Sequence, residues 1–449
     1  MPILTHEQLK TIVPPAKSDA RMRIALSHEF VELYRGDKDL RVGKILAKKY
    51  NCEIVHLGTD IASPADSRVF KTAKYPVDNV GPLPDDYYLL LLKTRLIYHR
   101  RRNISLGGFF RWTPSIIRQM LRWKPDLVFE NPYLTLTPRS YMTFIAANLL
   151  KIPKVYIDCG DVISDLKLKN KIVLPLEMQV VRRAAAVITY NMAGKTRFEN
   201  NYGYPSDKIH VIPKPVDTER FSPKVDGRLF KSKYDLNGKF VAAYFGRLCE
   251  NKGARYLLDA ARIIRQRGAE GEIVFLFVGG NVEAEHAARF QSHLQNTSLK
   301  NVRLTGMLPN IDMPSAYAAA DIAVFPDVTN LPGFSTVLAE SMAAGLPIII
   351  GIKGWESAVP IQDGYNGLII EPANPAQIAD SMERLKNNSQ LRETLSRNVL
   401  RFAREQMDYK IITRRYFEIF REITGKNRGQ ITDIQYDRAE DRYKELIVE

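Results

Sequence analysis

The chain of 449 residues is poor in cysteine and in long apolar runs, and both shortages exclude classes of protein. Its three cysteines are scattered, which excludes a disulfide framework and a zinc-binding spacing. A membrane-spanning helix needs about 18 consecutive apolar residues, whereas the longest apolar runs are Tyr87 to Leu92 and Leu346 to Ile352. No transmembrane helix is therefore predicted. Because no basic stretch leads into an apolar one at the start of the chain, we also expect no secretory signal and a cytoplasmic protein.

Acidic residues are also scarce relative to basic ones, with 50 Asp and Glu against 65 Lys and Arg and a formal charge of +15. Such an excess indicates an anionic partner, which is a nucleic acid, an anionic membrane surface or an anionic substrate. The rest of the composition, with 45% apolar and 26% charged residues, is typical of globular proteins and excludes disorder. At roughly 100 to 200 residues per domain, the length predicts two or three domains.

Two series of short β-rich runs, alternating with longer amphipathic runs, follow one another along the chain and predict two parallel α/β domains. The proline-rich segment from Ile212 to Asp217 separates the two series and favours a domain boundary. The predicted strands of the first series are Arg23 to Ser27, Glu53 to Leu57, Leu127 to Glu130, Val155 to Asp158 and Ala186 to Tyr190. Those of the second are Phe240 to Phe245, Ile273 to Val278, Val302 to Thr305, Ile322 to Phe325, Pro347 to Gly351 and Gly367 to Ile370.

Two features of the second series come directly after strands, at the edge where an open parallel sheet has its ligand crevice. In the first, a glycine turn at Gly246 carries Arg247 and then Lys252, and two such cations suit a diphosphate. Taken alone, the pair is more often a solvated surface feature. In the second, a strand ends on Gly279, where a ligand could approach the bare backbone; alone, this pattern is more often a tight turn.

A third feature follows a later strand, where Ser335 or Thr336 can cap a helix. The free N–H groups and the positive dipole end of such a helix bind anions. Glu340 lies on the same helical face as Thr336 and could accept hydrogen bonds from the hydroxyls of a ribose. The alternative is that Glu340 is an ordinary acidic residue whose charge interacts favourably with the helix dipole.

This order of features resembles glycosyltransferase family 4, and the chain is similar to that family also in Gly354 to Glu356 and Asp363 to Leu368. The resemblance extends from about Lys208 to Leu385. It implies an α/β architecture of the GT-B type, with two Rossmann-like domains that face one another across a cleft. The implied divisions are an N-terminal lead (1–21), an acceptor domain (22–214), a nucleotide-sugar-binding domain (215–395), C-terminal helices that pack back on the acceptor domain (396–424) and a charged tail (425–449).

The resemblance implies that Arg247 and Lys252 hold the donor's diphosphate and act in catalysis, and that Glu340 holds the ribose. The implied reaction moves a sugar, with retained stereochemistry, from a nucleotide diphosphate sugar to a hydroxyl of a glycan or lipid-linked acceptor. The departing phosphate helps to deprotonate the acceptor, and no metal or further cofactor is implied. The implied donor-binding residues are Gly246, Arg247, Lys252, Gly279, Met307, Leu308, Gly333, Phe334, Ser335, Thr336, Val337 and Glu340.

The chain departs from the family pattern at three places. Pro332 replaces the acid that usually contacts the donor sugar. Cys159 replaces the usual histidine of the first domain, so that Asp161 is the nearest polar substitute and is assigned a catalytic role. Only Gly36 is carried over from the family's glycine-rich loop, as part of the acceptor side.

The acceptor side is also where the basic charge is concentrated, because nine cations and no acid lie between Tyr87 and Lys124. Apolar and aromatic residues are interleaved with them, a composition typical of segments that bind anionic lipid. We therefore expect a peripheral enzyme on the inner face of the cytoplasmic membrane; the alternative is that the aromatic residues are core and the arginines are solvated. The residues assigned to the membrane surface are Lys93, Arg95, Arg100, Arg101, Arg102 and Trp112.

Two other classes of protein remain open at this point. A nucleic-acid-binding protein could use the same basic stretch with its aromatic residues as stacking platforms, but it would give no reason for Arg247, Lys252 and Glu340 to share one edge. We therefore expect no nucleic-acid partner. A divergent GT-B protein, such as a phosphorylase, an epimerase or an inactive scaffold, is the other alternative, and the replacements at Pro332 and Cys159 keep it open.

Overall fold

The computed structural model describes residues 13–27, 38–59, 83–93, 95–98, 110–131, 138–158, 174–268, 271–280, 284–327, 335–354 and 359–426. The chain divides into two compact units. One comprises the described residues up to Pro213 together with Lys410 to Lys426, and the other comprises Lys214 to Tyr409. Each unit is built on a parallel sheet with helices, which confirms the predicted pair of α/β domains.

The first unit contains β1 (Arg23–Ser27), β2 (Glu53–Thr59), β3 (Tyr87–Leu92), β4 (Arg95–Tyr98), β5 (Phe110–Trp112), β6 (Leu127–Glu130), β7 (Lys154–Asp158), β8 (Ala186–Thr189) and β9 (Ile209–Val211). Seven of these strands form one sheet in the order β3-β2-β1-β6-β7-β8-β9, and all the pairs are parallel. Strands β4 and β5 pair with each other in an antiparallel ribbon. The apolar runs that predict strands are buried in the sheet, as expected where helices cover both faces.

The described helices of the first unit are α1 (Lys38–Tyr50), α2 (Ser115–Trp123), α3 (Pro138–Leu149), α4 (Leu174–Arg182) and α5 (Met192–Tyr202). Helix α2 shows why these segments are helical, since Ile116, Met120 and Trp123 recur at three- and four-residue spacing and are all buried. Trp123 packs on Tyr88, with 4.9 Å between ring centroids. The aromatic and apolar residues of the basic stretch are therefore partly core.

The second unit contains β10 (Phe240–Phe245), β11 (Ile273–Val278), β12 (Val302–Gly306), β13 (Ile322–Phe325), β14 (Ile348–Gly351) and β15 (Gly367–Ile370). They form one parallel sheet in the order β12-β11-β10-β13-β14-β15. Its helices are α6 (Arg228–Lys233), α7 (Ala254–Gln266), α8 (Ala284–Thr297), α9 (Met313–Ala318), α10 (Thr336–Ala343), α11 (Pro375–Asn387) and α12 (Ser389–Phe402).

The last described helix, α13 (Tyr409–Thr424), belongs to the first unit from Lys410 onward. Its Phe417 stacks on Tyr50 with ring centroids 4.4 Å apart, and its Tyr416 and Phe420 pack against Phe129. A helix that packs back on the first domain is thus present, as the resemblance implies.

The point of return differs from the predicted division at residue 395. Leu395 of α12 is part of the second unit's core, and Ser396 donates a hydrogen bond to the Gly345 carbonyl at 2.6 Å. Helix α12 therefore stays with the second unit, and a π-helical segment, Ala403–Met407, precedes the return. Apolar spacing marks helices here but does not say which sheet they cover.

Candidate functional site

The strand order of the second sheet reverses between β10 and β13, which lie side by side although β11 and β12 come between them in sequence. In open parallel sheets, a ligand crevice lies outside the carboxyl ends of the strands at such a reversal. The segments predicted to bind a donor follow β10, β11 and β12 at this edge. The candidate site therefore lies at this edge.

Two glycines bring the backbones of neighbouring segments into contact at the sheet edge. Gly279 follows β11 with φ +140°, and a Cβ atom there would lie 2.0 Å from the Gly246 carbonyl oxygen. The Gly246 N–H donates to the Val278 carbonyl at 3.0 Å, and the Gly279 N–H donates to the Gly306 carbonyl at 3.1 Å. Glycine at position 279 is thus required by both conformation and space.

The two cations predicted to bind a diphosphate are held differently in the loop after β10. Arg247 is exposed and forms no ion pair with the described residues, whereas its carbonyl accepts a 2.6 Å hydrogen bond from the buried Tyr244 hydroxyl. Lys252 ends a 3₁₀ turn, Glu250–Lys252, and its Nζ lies 3.1 Å from Oδ2 of Asp327. Burial raises the pKa of Asp327, and the charges of Lys252 and Arg247 offset part of that rise.

Helix α10 begins with a side-chain cap next to the segment predicted to contact the phosphates. Ser335 is its N-cap, and the Ser335 hydroxyl accepts a hydrogen bond from the Leu338 N–H at 3.3 Å. Thr336 is exposed and Val337 is partly buried. The first turn of α10 therefore offers free backbone N–H groups and the positive end of the helix dipole.

Glu340 lies one turn inside α10 and is held by a tyrosine from α9. The Tyr317 hydroxyl donates to Oε2 of Glu340 at 2.8 Å. The Tyr317 ring packs on Phe245, the last residue of β10, with centroids 4.1 Å apart. Burial raises the pKa of Tyr317 well above its usual value, and Glu340 raises it further. Tyr317 thus links Glu340 to the strand that precedes Gly246.

Met307 and Leu308, predicted to seat the base, follow β12 at the same edge. Met307 is 39% exposed, although it is a large apolar side chain. A Cβ atom on Gly280 would lie 2.9 Å from its Cγ atom. The end of β11 therefore lies beside an exposed apolar surface.

Comparison with known proteins identifies the family. The model described as "Glycosyl transferases group 1" matches residues 239–388, and the model described as "Glycosyltransferase Family 4" matches residues 70–220. The chain belongs to glycosyltransferase family 4. Among curated proteins it is 26% identical over 223 residues to the D-inositol 3-phosphate glycosyltransferase of Paenarthrobacter aurescens, covering 49% of this chain and 53% of that protein. The chain thus spans about half the length of this relative.

Two further likenesses of this family 4 chain cover most of its length. It is 28% identical over 383 residues to the capsular polysaccharide biosynthesis glycosyltransferase CapM of Staphylococcus aureus, covering 82% of this chain and 90% of CapM. The crystal structure of Anabaena HepE in complex with UDP matches with a TM-score of 0.68 at 18% identity, covering 89% of this chain and 100% of HepE. At that identity the likeness shows the fold, which is of the GT-B type.

Several residues assigned to the site of this family 4 chain lie outside the described residues. They are Gly36, Asp161, Gly333 and Phe334, and the departures at Cys159 and Pro332 lie outside them too. Of the assigned membrane surface, Lys93 is exposed, Arg95 and Trp112 are opposite each other in the pair of β4 and β5, and Arg100 to Arg102 are outside the described residues. Their assigned roles stay predictions.

Sequence reasoning missed two residues of the family 4 site, Asp327 and Tyr317. Asp327 follows β13 after a single proline, so that its place after a strand was a usable signal of the kind that identified Gly246 and Gly279. Tyr317 gave no such signal, because nothing in the sequence indicates that a residue on α9 reaches Glu340 on α10.

The first sheet also reverses its strand order, between β1 and β6, and carries a buried polar cluster there. Glu130, at the end of β6, accepts a hydrogen bond from the Ser27 hydroxyl at 3.3 Å. Arg139 donates to the same hydroxyl and to the Leu57 carbonyl. Burial raises the pKa of Glu130 to about 8, although the Arg139 charge lowers it.

The described part of this family 4 chain lacks two other kinds of feature. There, no three His, Cys, Asp or Glu side chains lie close enough together to hold a metal ion. Within the same residues, no helix has the length and apolar character needed to cross a membrane.

Proposed function

We propose that this protein is a glycosyltransferase that moves a sugar from a nucleotide diphosphate sugar to a hydroxyl of a glycan or lipid-linked acceptor. The observation that carries the proposal is the edge of the second sheet, where the loop with Arg247 and Lys252 packs against the bare backbone of Gly279. Arginine and lysine suit a diphosphate, and glycine permits its close approach. Family membership and the UDP bound to the HepE structure support the same donor class.

In the proposed reaction the anomeric bond to the diphosphate breaks, so that negative charge grows on the leaving oxygens. Arg247, Lys252 and the N-terminus of α10 at Ser335 stabilise that charge. Glu340 accepts hydrogen bonds from the ribose, and its Oε2 atom is oriented by Tyr317. Met307 and Leu308 contact the base.

The proposed stereochemical course is retention, with the departing phosphate helping to deprotonate the acceptor hydroxyl on the same face. We propose that the reaction requires neither a metal nor a cofactor other than the nucleotide sugar. Both proposals rest on the resemblance to family 4. Asp161 is the proposed polar substitute in the first domain.

For the acceptor we propose a glycan or a lipid-linked saccharide at the inner face of the cytoplasmic membrane. The name of CapM, a capsular polysaccharide biosynthesis enzyme, supports a glycan product. Exposed cations near β3 and α2 support an anionic surface, namely Lys93, Arg118 and Lys124, and Leu121 beside them is 48% exposed. Such a mixture of cations and apolar side chains favours attachment to anionic lipid.

A thermal-shift panel tests the proposed function. A ligand that binds only the folded state raises the unfolding temperature by an amount that grows with the ratio of its concentration to its Kd. We expect one family of nucleoside diphosphates and nucleotide sugars, either uridine or guanosine, to stabilise the protein, and transfer to follow with the same base. No stabilisation by any of these nucleotides, together with no consumption of donor, would contradict the proposal and favour a divergent GT-B protein.

A further inference from the structure

A carboxylate lies at the sheet edge where the sequence predicts only cations. Asp327 follows β13 and its Oδ2 atom is 3.1 Å from Nζ of Lys252. The two side chains come from opposite sides of the strand reversal, because β10 and β13 pair directly. They are 26% and 29% exposed, so the pair lies between the protein interior and solvent at the place where the donor diphosphate is proposed to bind.

Stability does not explain this carboxylate. A partly exposed ion pair contributes little to folding. The other oxygen of Asp327, Oδ1, is buried and has no hydrogen-bond partner among the described residues, which is unfavourable for a polar atom. A neutral Ser or Asn would fill the same place without bringing a negative charge to a site for an anion. The charge of Asp327 therefore points to an effect on ligands.

We propose that Asp327 makes the site distinguish the nucleotide sugar from the nucleoside diphosphate that remains after transfer, so that product leaves while donor binds. This inference rests on the proposed function. In transfer, the bond between the anomeric carbon and the terminal phosphate oxygen breaks, a bond to the acceptor oxygen forms, and the hydroxyl proton passes to the phosphate or to water. The donor diphosphate carries two negative charges. The freed terminal phosphate carries a further charge above about pH 6.

The distances set the order of magnitude of the effect. Two oxygens that contact the same ammonium nitrogen at about 3 Å lie about 5 Å apart. At that separation, repulsion between Asp327 and one extra phosphate charge weakens product binding about fourfold with the dielectric constant of water, and more at lower dielectric constant. Lys252 also attracts the extra charge of the product, and Asp327 offsets part of that attraction, so removal of the Asp327 charge favours the product more than the donor.

Calorimetric titration of the full chain at pH 8 tests this inference with UDP against UDP-glucose and GDP against GDP-mannose. The measured quantity is the ratio of product affinity to donor affinity. In D327N we expect this ratio to rise about fourfold over wild type at low ionic strength. D327E keeps the charge and is expected to keep the wild-type ratio. At pH 5.5, where the terminal phosphate binds a proton, the difference between D327N and wild type should shrink.

The matched control is D380N, which removes one negative charge from the same unit. Asp380 pairs with Arg267, which follows the end of α7, at the opposite edge of the sheet from Lys252. The ratio of product affinity to donor affinity in D380N should equal that of wild type. If D327N does not fold, D327S removes the same charge with a smaller side chain. An unchanged ratio in a folded variant overturns the inference, whereas a wild-type protein that binds none of the four nucleotides instead overturns the proposed function.

Discussion

At the residue scale, the proposed donor site depends on two cations of one loop. Arg247→Ala or Lys252→Ala should lower the rate of sugar transfer at least about a hundredfold, because each removes stabilisation of the leaving diphosphate. Arg255→Ala is the control, since Arg255 is exposed in the next turn and, among the described residues, donates a hydrogen bond only to the Tyr256 hydroxyl. Donor turnover and circular dichroism are measured together. Near-wild-type turnover in both site variants would refute the diphosphate assignment.

Tyr317 provides a second prediction at this scale. Tyr317→Phe keeps the ring on Phe245 but leaves Oε2 of Glu340 without its 2.8 Å hydrogen bond. Because hydrogen bonds to charged groups are worth about 1.5 to 3 kcal/mol, we expect the KM for the donor to rise about tenfold. Tyr234→Phe, at the end of α6, should leave it unchanged. If Tyr317→Phe has the wild-type KM, Tyr317 does not orient Glu340 for the ribose.

Glu130 gives a prediction about pH and stability. Burial holds its folded pKa at about 8, against an ordinary value of 4.5. An acid with a raised folded pKa stabilises the protein fully below its unfolded pKa, and that contribution is lost as the pH rises toward the folded pKa. Between pH 5.5 and 7.5, wild type should therefore lose stability relative to Glu130→Gln, by up to about 1.4 kcal/mol per pH unit. Parallel changes of the unfolding temperature in both proteins would contradict the shifted pKa.

At the scale of elements, the contact of the loop after β10 with the end of β11 depends on bare backbone. Gly279→Ala introduces a Cβ atom at 2.0 Å from the Gly246 carbonyl and forces alanine into φ +140°. We expect a loss of more than about 2 kcal/mol of stability together with loss of nucleotide binding.

Two other glycines of the same unit distinguish the effect of the positive φ angle from the effect of the close backbone contact. Gly238 has φ +68° with nothing within 4 Å of an added Cβ, and Gly271 has open space and no positive φ. Gly238→Ala should cost about 1 kcal/mol and Gly271→Ala almost nothing. If Gly279→Ala is no more harmful than Gly238→Ala, the close backbone contact is not what holds the loop.

At the scale of the whole molecule, the charge of +15 leads to a prediction about membranes. The full chain should sediment with vesicles containing anionic lipid and not with neutral vesicles, because each cation near such a surface contributes about 1 kcal/mol. Replacing Arg100, Arg101 and Arg102 by Ser should weaken binding markedly. Replacing Arg228, Lys233 and Lys239 of the second unit makes the same charge change and should not. Equal binding of both triple variants to anionic vesicles would show that the basic stretch does not mediate membrane attachment.

The fold class is predictable from the sequence, because alternation of β-rich and amphipathic runs is a local property. Strands such as β1, β6, β10 and β13 have the predicted bounds. The glycine turn before Arg247 and the capped start of α10 were also predictable from the sequence, since backbone conformation and capping depend on a few neighbouring residues.

The residues that contact these predicted features are known from the tertiary structure alone. It brought Asp327 to Lys252 across 75 positions of sequence and Tyr317 to Glu340 across 23. It buried Trp123, which the sequence grouped with the basic stretch, and it returned the chain to the first unit at Lys410. The physical reason is that strand order and helix packing bring distant residues together, whereas composition and spacing report only on neighbours along the chain.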